Sequence, residues 1–254
     1  MSTLRRLISW CMTPFFLLFF GGILVTFHVL QLLVHPFSRG LQKFVLDLMN
    51  LSIILNIRFC AGASFQVIRR PSLPPGRPVI LVANHQSMYD IPMMMWLMRD
   101  RELGFIAKKE LGKGIPSISF ALRTLGSVLI DRKDAKQAIP AIEEFGRRKE
   151  EQGQVACIFP EGTRARDGVM KRFKSSGFEA LLKSMPSAII QPVAVKGNWE
   201  LLRYQFRPVP YGVAISLDFL EPIEPGGRGA EELATVLEGT IRRALGQFEQ
   251  QIAA

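Results

Sequence analysis

The segment Arg77-Pro-Val-Ile-Leu-Val-Ala-Asn84, continued by His85-Gln-Ser-Met-Tyr-Asp90, passes from a short apolar run into a cluster of polar residues. The apolar part reads as a buried strand. The residues from Ile91 to Met98 read as a helix, and Pro92 falls in its first turn, where proline is tolerated. Strand, polar turn and helix in this order are the repeating unit of an α/β sheet.

The alternation continues downstream. Gly126 to Ile130 reads as a strand, Ala135 to Glu151 as a charged amphipathic helix, and Val155 to Phe159 as a strand ended by Pro160. Ala188 to Val195 and Tyr211 to Phe219 are further strands, and Ala230 to Ala253 is a closing helix. Residues 59–254 are therefore expected to form an α/β domain with a largely parallel central sheet flanked by helices. In such sheets the chemistry gathers at the carboxyl ends of the strands.

Upstream the pattern differs. From Leu7 to Ser38 no Asp, Glu, Lys or Arg occurs. A hydrocarbon core takes roughly 20 apolar residues to cross, so this run is long enough. Arg5 and Arg6 precede it, but no small-residue cleavage site ends it, which disfavours a signal peptide. Pro14, Gly21-Gly22 and Pro36 interrupt it and predict a broken or re-entrant element. Phe44 to Ile57, carrying Asp47 and Asn50, is short for a span and reads as an amphipathic helix in the interface. Residues 1–58 are thus expected to be a membrane anchor of one or two helices, with a very apolar core helix as the alternative. Arg5 and Arg6 at one end and Arg39 and Lys43 at the other leave orientation open.

Composition agrees with a membrane-associated domain. The 254 residues are 48% hydrophobic and carry a net charge of +10, with a mean hydropathy of +0.18. A cationic surface attracts anionic headgroups or an acidic carrier. Nucleic acid is the weaker reading, because the basic residues are spread and neither zinc-finger spacing nor an RNA-binding aromatic signature accompanies them. Cys11, Cys60 and Cys157 form no C-x-x-C pair, so neither a zinc site nor a redox motif is supported, and no metal is expected. Cys157, within Val-Ala-Cys-Ile-Phe, reads as a buried core thiol.

Of three histidines, His28 and His35 lie in or beside the apolar N-terminal run, which leaves His85 at a strand end. Residues five apart on one continuous helix point about 140° away from each other. His85 and Asp90 can meet only if a turn separates them and Asp90 opens the next helix. Asp90 would then fix the imidazole tautomer, and the other ring nitrogen could take a proton from an alcohol. Spacing alone leaves open the plainer reading, with Asp90 as a helix cap and His85 as a surface histidine. Phe159-Pro-Glu-Gly-Thr-Arg164 follows a strand and brings together Glu161, Gly162, Thr163 and Arg164. Arg132 also lies just past a strand end, and Lys171, Arg172 and Lys174 follow closely. The planar fork of arginine suits phosphate, though each of these cations alone is more often a solvated charge. No G-x-S-x-G elbow, P-loop or dinucleotide fingerprint is present.

Taken in order, these segments resemble the glycerolipid acyltransferase family, and within it the bacterial 1-acylglycerol-3-phosphate acyltransferases. Asn84-His85 through Asp90 is similar to the family's H-x-x-x-x-D block, Gly126 to Arg132 to its second, Phe159 to Arg164 to its third and Ile190-Gln-Pro-Val-Ala-Val195 to its fourth. Lys108-Lys-Glu-Leu111 and Phe173-Lys174 also match, and the likeness runs over roughly residues 65 to 220. Two positions depart from it: Ala165 stands where a serine often follows the third block, and Gln191 where an apolar residue is usual. The resemblance implies transfer of a fatty acyl chain from acyl-CoA or acyl carrier protein to the free hydroxyl of 1-acylglycerol-3-phosphate, giving phosphatidic acid in phospholipid synthesis. It implies no cofactor, His85 and Asp90 as catalytic residues, and Arg132, Glu161, Gly162, Thr163, Arg164 and Lys174 around the acceptor. It also implies membrane lipid as partner and a site facing the cytoplasm at the inner membrane. The alternatives are another lysolipid acceptor, such as lyso-ornithine lipid or a larger lysophospholipid, and a non-catalytic lipid-binding protein.

Overall fold

The computed structural model describes residues 1–247. Two helices, α1 (Thr3–Val34) and α2 (Arg39–Cys60), precede a sheet of seven strands. The strands are β1 (Ser64–Val67), β2 (Val79–Ala83), β3 (Leu103–Lys108), β4 (Val128–Ile130), β5 (Val155–Ile158), β6 (Ile189–Lys196) and β7 (Ala214–Phe219). Between them come α3 (Asp90–Leu97), α4 (Ile118–Thr124), α5 (Ala135–Glu151) and α6 (Ser176–Ser184), with α7 (Ala230–Leu245) after the last strand. The order across the sheet is β1-β7-β6-β2-β5-β3-β4, and all neighbours are parallel except β6 and β7. The expected α/β class with a largely parallel sheet is what is found.

The strands are apolar on both faces because both are covered. Val79, Leu81 and Ala83 of β2 join one core, packed under α1, α2 and α3, while Ile80 and Val82 join a second core under α5, α6 and α7. Cys157 is buried in β5, as expected of a core thiol. Gln191 and Pro192 sit in β6, where proline has no N–H to give. The buried Gln191 amide donates instead to the carbonyls of Leu220, at 2.6 Å, and Pro192, at 2.9 Å. A polar residue at this unusual place therefore ties β6 to the chain beyond β7.

Four elements were not anticipated: β1, β3, α4 and α6. The closing helix ends at Leu245, followed by Gly246 at φ 70, and residues 248–253 of the expected helix lie outside the described residues.

The N-terminal region departs furthest from expectation. Pro14, Gly21 and Gly22 do not break the apolar run: α1 is one continuous helix of 32 residues, ending just before Pro36. Tertiary contacts hold it. Ser9 Oγ accepts from Tyr211 N and Thr13 Oγ1 from Val209 N, each at 2.9 Å. Arg5 donates to the carbonyls of Tyr211 and Gly212. Phe16 is fully buried, and its carbonyl accepts from Asn56. Further along, the Leu24 carbonyl accepts from Ser117 Oγ at 2.8 Å and His28 Nδ1 from Ser117 N at 3.2 Å. Positions 5, 9, 13, 16, 24 and 28 recur at multiples of three or four residues, so one stripe of α1 lies along the α/β domain for most of its length. The opposite side leaves Leu7, Phe15, Leu18, Phe19, Val25 and Leu33 exposed. The second apolar stretch is likewise two-sided. Val45, Leu46, Met49, Ile53 and Ile57 of α2 are buried, while Leu41, Phe44, Leu48 and Phe59 are exposed. One core thus runs through the expected boundary at residues 58 and 59.

A direct contrast tests this arrangement. Phe16→Ala removes a fully buried ring and is expected to cost about 3–5 kcal/mol. Leu18→Ala, on the outer face, is expected to stay within about 0.5 kcal/mol of the parent in detergent. Denaturant unfolding of both variants measures the difference, and equal small effects would mean that α1 is only tethered to the domain.

Candidate active site

Because β2, β5 and β6 are parallel neighbours, the residues that follow them emerge along one edge of the sheet. β2 delivers Asn84 and His85, β5 delivers Phe159 to Glu161, and β6 delivers Gly197 and Asn198. Asn84 locks its strand end to β6, donating to the Val195 carbonyl at 2.9 Å and accepting from Val195 N at 2.7 Å.

His85 and Asp90 meet. Asp90 is the first residue of α3, and its carboxylate is fully buried. Its Oδ2 lies 2.7 Å from His85 Nδ1 and accepts the backbone N–H groups of Gln86, at 2.8 Å, and Ser87, at 2.9 Å. The turn between strand and helix is therefore wound around this oxygen. Its other oxygen, Oδ1, accepts from Asn198 Nδ2 at 2.5 Å. With His85 Nδ1 engaged on a carboxylate, Nε2 is left free to face a substrate. The imidazole also stacks on the Phe159 ring, 4.1 Å between centroids and 19° between planes, which fixes its plane.

Glu161 is 2% exposed. Oε1 accepts His85 N at 2.6 Å and Oε2 accepts Lys171 N at 2.8 Å. In this structure its carboxylate ties two backbone segments together. Burial pushes its pKa up to about 7, against the downward pull of the two N–H donors and of Lys171. Ala165 is buried, and its N–H reaches the His85 carbonyl at 2.7 Å, so the residue after Arg164 is stitched to the base.

The cations collect at the neighbouring strand ends. Arg132, after β4, donates from Nη1 to the Gly162 carbonyl. Its surroundings lower its pKa by desolvation; Glu110 opposes the shift and the nearby charge of Arg164 adds to it. Gly162 turns the chain at φ +68, and the Lys174 side chain lies alongside it. Lys171 Nζ reaches the Arg164 carbonyl at 3.1 Å. Arg132, Gly162, Arg164 and Lys174 are thus brought together next to the base, with Thr163 exposed at the rim. Asn198 was missed. Nothing in its local sequence marks it, and only the fold brings it to Asp90.

This edge carries a histidine held by a buried carboxylate, with two arginines on neighbouring loops, a set of groups that can take up a proton and bind an anion. The family model described as Acyltransferase matches residues 64–196, just over half of the chain. The mouse protein named 1-acyl-sn-glycerol-3-phosphate acyltransferase alpha is 30% identical over 198 residues, 78% of this chain and 68% of that one. A Helicobacter pylori protein named 1-acyl-sn-glycerol-3-phosphate acyltransferase is 33% identical over 133 residues, 50% of this chain and 55% of its own length. Against several other curated relatives the chain spans about half of their length. In fold it is similar to the crystal structure of the Thermotoga maritima 1-acyl-sn-glycerophosphate (LPA) acyltransferase PlsC, with a TM-score of 0.78, 24% identity and 98% of each chain covered. The chain belongs to the acyltransferase family.

The buried Glu161 gives a pH signature. Its folded pKa is raised above the ordinary carboxylate value, so its contribution to stability is fully present below that ordinary value. That contribution is lost as the pH rises through about 7. Relative to Glu161→Gln, which cannot titrate, the parent protein should lose stability between pH 5 and pH 8. Denaturant midpoints across this range check it, and a pH-independent difference between the two proteins would contradict it.

Proposed function

We propose that this protein transfers a fatty acyl chain from a thioester donor, acyl-CoA or acyl carrier protein, to the free hydroxyl of 1-acylglycerol-3-phosphate, giving phosphatidic acid. The observation that carries this reading is the His85–Asp90 pair, with Nε2 free, set beside Arg132 and Arg164. His85 Nε2 takes the hydroxyl proton as the acceptor oxygen attacks the thioester carbonyl. The new C–O bond forms, the C–S bond breaks, and the thiolate leaves with a proton returned from the imidazolium. Asp90 stabilises that imidazolium. General-base help of this kind is worth roughly 10²–10⁴-fold. The two arginines hold the acceptor phosphate, with Lys174 nearby, while Glu161 and Gly162 shape the loop that presents them.

Acyl transfer from labelled donor to a panel of lysolipids tests the reading. 1-Acylglycerol-3-phosphate is expected to be the preferred acceptor. His85→Ala should abolish turnover while the protein stays folded. Arg132→Ala and Arg164→Ala should raise the acceptor KM far more than the donor KM, and lysine should rescue only partly, because a point charge lacks the bidentate fork. Preference for an acceptor without phosphate would favour the lyso-ornithine alternative, and near-normal turnover in His85→Ala would sink the mechanism.

The same reading places the protein on the cytoplasmic face of the inner membrane, where a bilayer-borne acceptor meets a cytoplasmic donor. α1 is long and apolar enough to cross a membrane, and only 6% of its most apolar window is buried. The stripe of contacts from Arg5 to His28 keeps α1 against the domain, which favours insertion of the outer faces of α1 and α2 from one side over a perpendicular span. Exposed charges are screened within about 8–10 Å at ordinary ionic strength, whereas apolar insertion is not. The protein should therefore stay with membranes in high salt and need detergent for release. Release by salt alone, read by sedimentation, would assign the attachment to charge.

A further inference from the structure

Asp90 is the one fully buried charge in the reacting pair, and its two oxygens are served differently. Oδ2 has three donors, all from the local turn: His85 Nδ1 and the N–H groups of Gln86 and Ser87. Oδ1 has one, Asn198 Nδ2 at 2.5 Å, which comes from 108 residues away just beyond β6. The assignment of that amide follows from chemistry, because an amide oxygen at this distance would face a carboxylate oxygen with no proton between them. Asn198 is fully buried, and its own Oδ1 has no hydrogen-bond partner among the described residues. The amide thus leaves its acceptor orphaned in order to give its donor to Asp90. Its backbone is held too: Asn198 N donates to Gln86 Oε1 at 3.0 Å, and Gln86 lies inside the His85–Asp90 turn. Gly197, at φ +84, makes the bend, and a Cβ there would meet the Ala214 carbonyl oxygen at 2.0 Å.

We infer that Asn198 is a positioning residue for the acyl-transfer base, holding the Asp90 carboxylate oriented so that His85 keeps its reactive tautomer. This rests on the function proposed above. Asn198 bonds to the Asp90 carboxylate and through it bears on His85. Without it, Oδ1 is a buried anionic oxygen with no donor, and such an oxygen holds a proton readily. A protonated Asp90 no longer stabilises the imidazolium. The other titratable groups that face Asp90 are Glu161, from the loop after β5, and the Cys157 thiol on β5. Neither is within hydrogen-bonding reach of Oδ1, so neither replaces the lost donor.

The test compares Asn198→Ala and Asn198→Asp with the parent, following kcat, KM and pH dependence with 1-acylglycerol-3-phosphate. Asn198→Ala is expected to lose at least about tenfold in kcat, a part of the roughly 10²–10⁴-fold that base catalysis supplies. The acceptor KM should stay within about twofold, as for an interaction that matters only in the transition state. The acid limb of its kcat profile should move to higher pH. Asn198→Asp is nearly isosteric and folds most readily when protonated. Its carboxylic O–H can stand in for the amide donor, so activity relative to the parent should be highest at the acid end of the profile and fall as the new acid ionises against Asp90. A purely structural role predicts parallel losses with an unchanged profile shape, and that result overturns the assignment. So does a kcat for Asn198→Ala within twofold of the parent. A readout independent of turnover separates this inference from the function itself. The far-downfield proton of His85 Nδ1–H, identified by its loss in His85→Ala, should shift or vanish in Asn198→Ala. If it is unchanged, the inference fails even where acyl transfer is confirmed. If it shifts while no lysolipid is acylated, the proposed function fails and the Asn198–Asp90–His85 coupling stands.

Discussion

The structure is arranged around a carboxylate that has been taken out of water. Burying an ionised aspartate is prohibitive unless its oxygens are hydrogen-bonded, and Asp90 is fully buried with donors on both oxygens. Much of the local geometry follows from satisfying it. The turn after β2 curls back so that two successive N–H groups reach one oxygen. α3 begins at the aspartate itself. β6 must be the neighbour of β2 for Asn198 to arrive at the other oxygen, and β5 must be the other neighbour for Phe159 to support the imidazole. Glu161 repeats the device one strand over, bridging the His85 and Lys171 backbones. Two buried acids thus set the shape of the sheet edge, Glu161 through main-chain donors and Asp90 through two main-chain and two side-chain donors, and the arginines are carried on the loops so formed.

The second organising constraint is that α1 has two environments. Its inner stripe is stitched to the α/β domain by hydroxyls, carbonyls and the buried Phe16 ring. Phe16 and Phe20 lie edge-on to Tyr89, the residue immediately before Asp90, with centroids 6.2 and 5.8 Å from its ring. The element that carries the exposed apolar surface is therefore also part of the wall behind the His85–Asp90 turn.

Much of this was legible in the chain, and the illegible parts have identifiable reasons. β2, β5 and β6 are apolar runs ended by polar residues, proline or glycine, because both faces of the sheet are covered. β1 is four residues at the sheet edge, Ser64-Phe-Gln-Val67, with alternating partial exposure, and offers no such run. α4 and α6, at seven and nine residues, are too short to show a period. The His85–Asp90 pair was legible through its likeness to the H-x-x-x-x-D block, because the five-residue spacing alone leaves the helix-cap reading open. The role of Glu161 was not, since it depends on N–H groups that any residue would present. Asn198 was invisible for the opposite reason: its side chain is specific, but its partner is 108 residues distant. The continuity of α1 through Pro14 was misjudged because local propensity opposes it, whereas distant contacts, among them those with Asn56, Tyr89, Ser117 and residues 209 to 212, hold the helix.

Those contacts also set an order of assembly. Chains are made from the amino terminus, and α1 is complete long before its partners exist. Thr13 waits for Val209, 196 residues later, and Arg5 for Gly212, 207 residues later. During that interval the inner stripe of the helix, with Ser9, Thr13 and Phe16, has no domain to cover it. A helix that is apolar nearly all round can wait at a bilayer, whereas in water it would be exposed on every side. The segment before β7 carries the last of these main-chain partners to be made. The separation between the two halves of the Arg5–Gly212 contact thus sets how much chain is made before that contact can close.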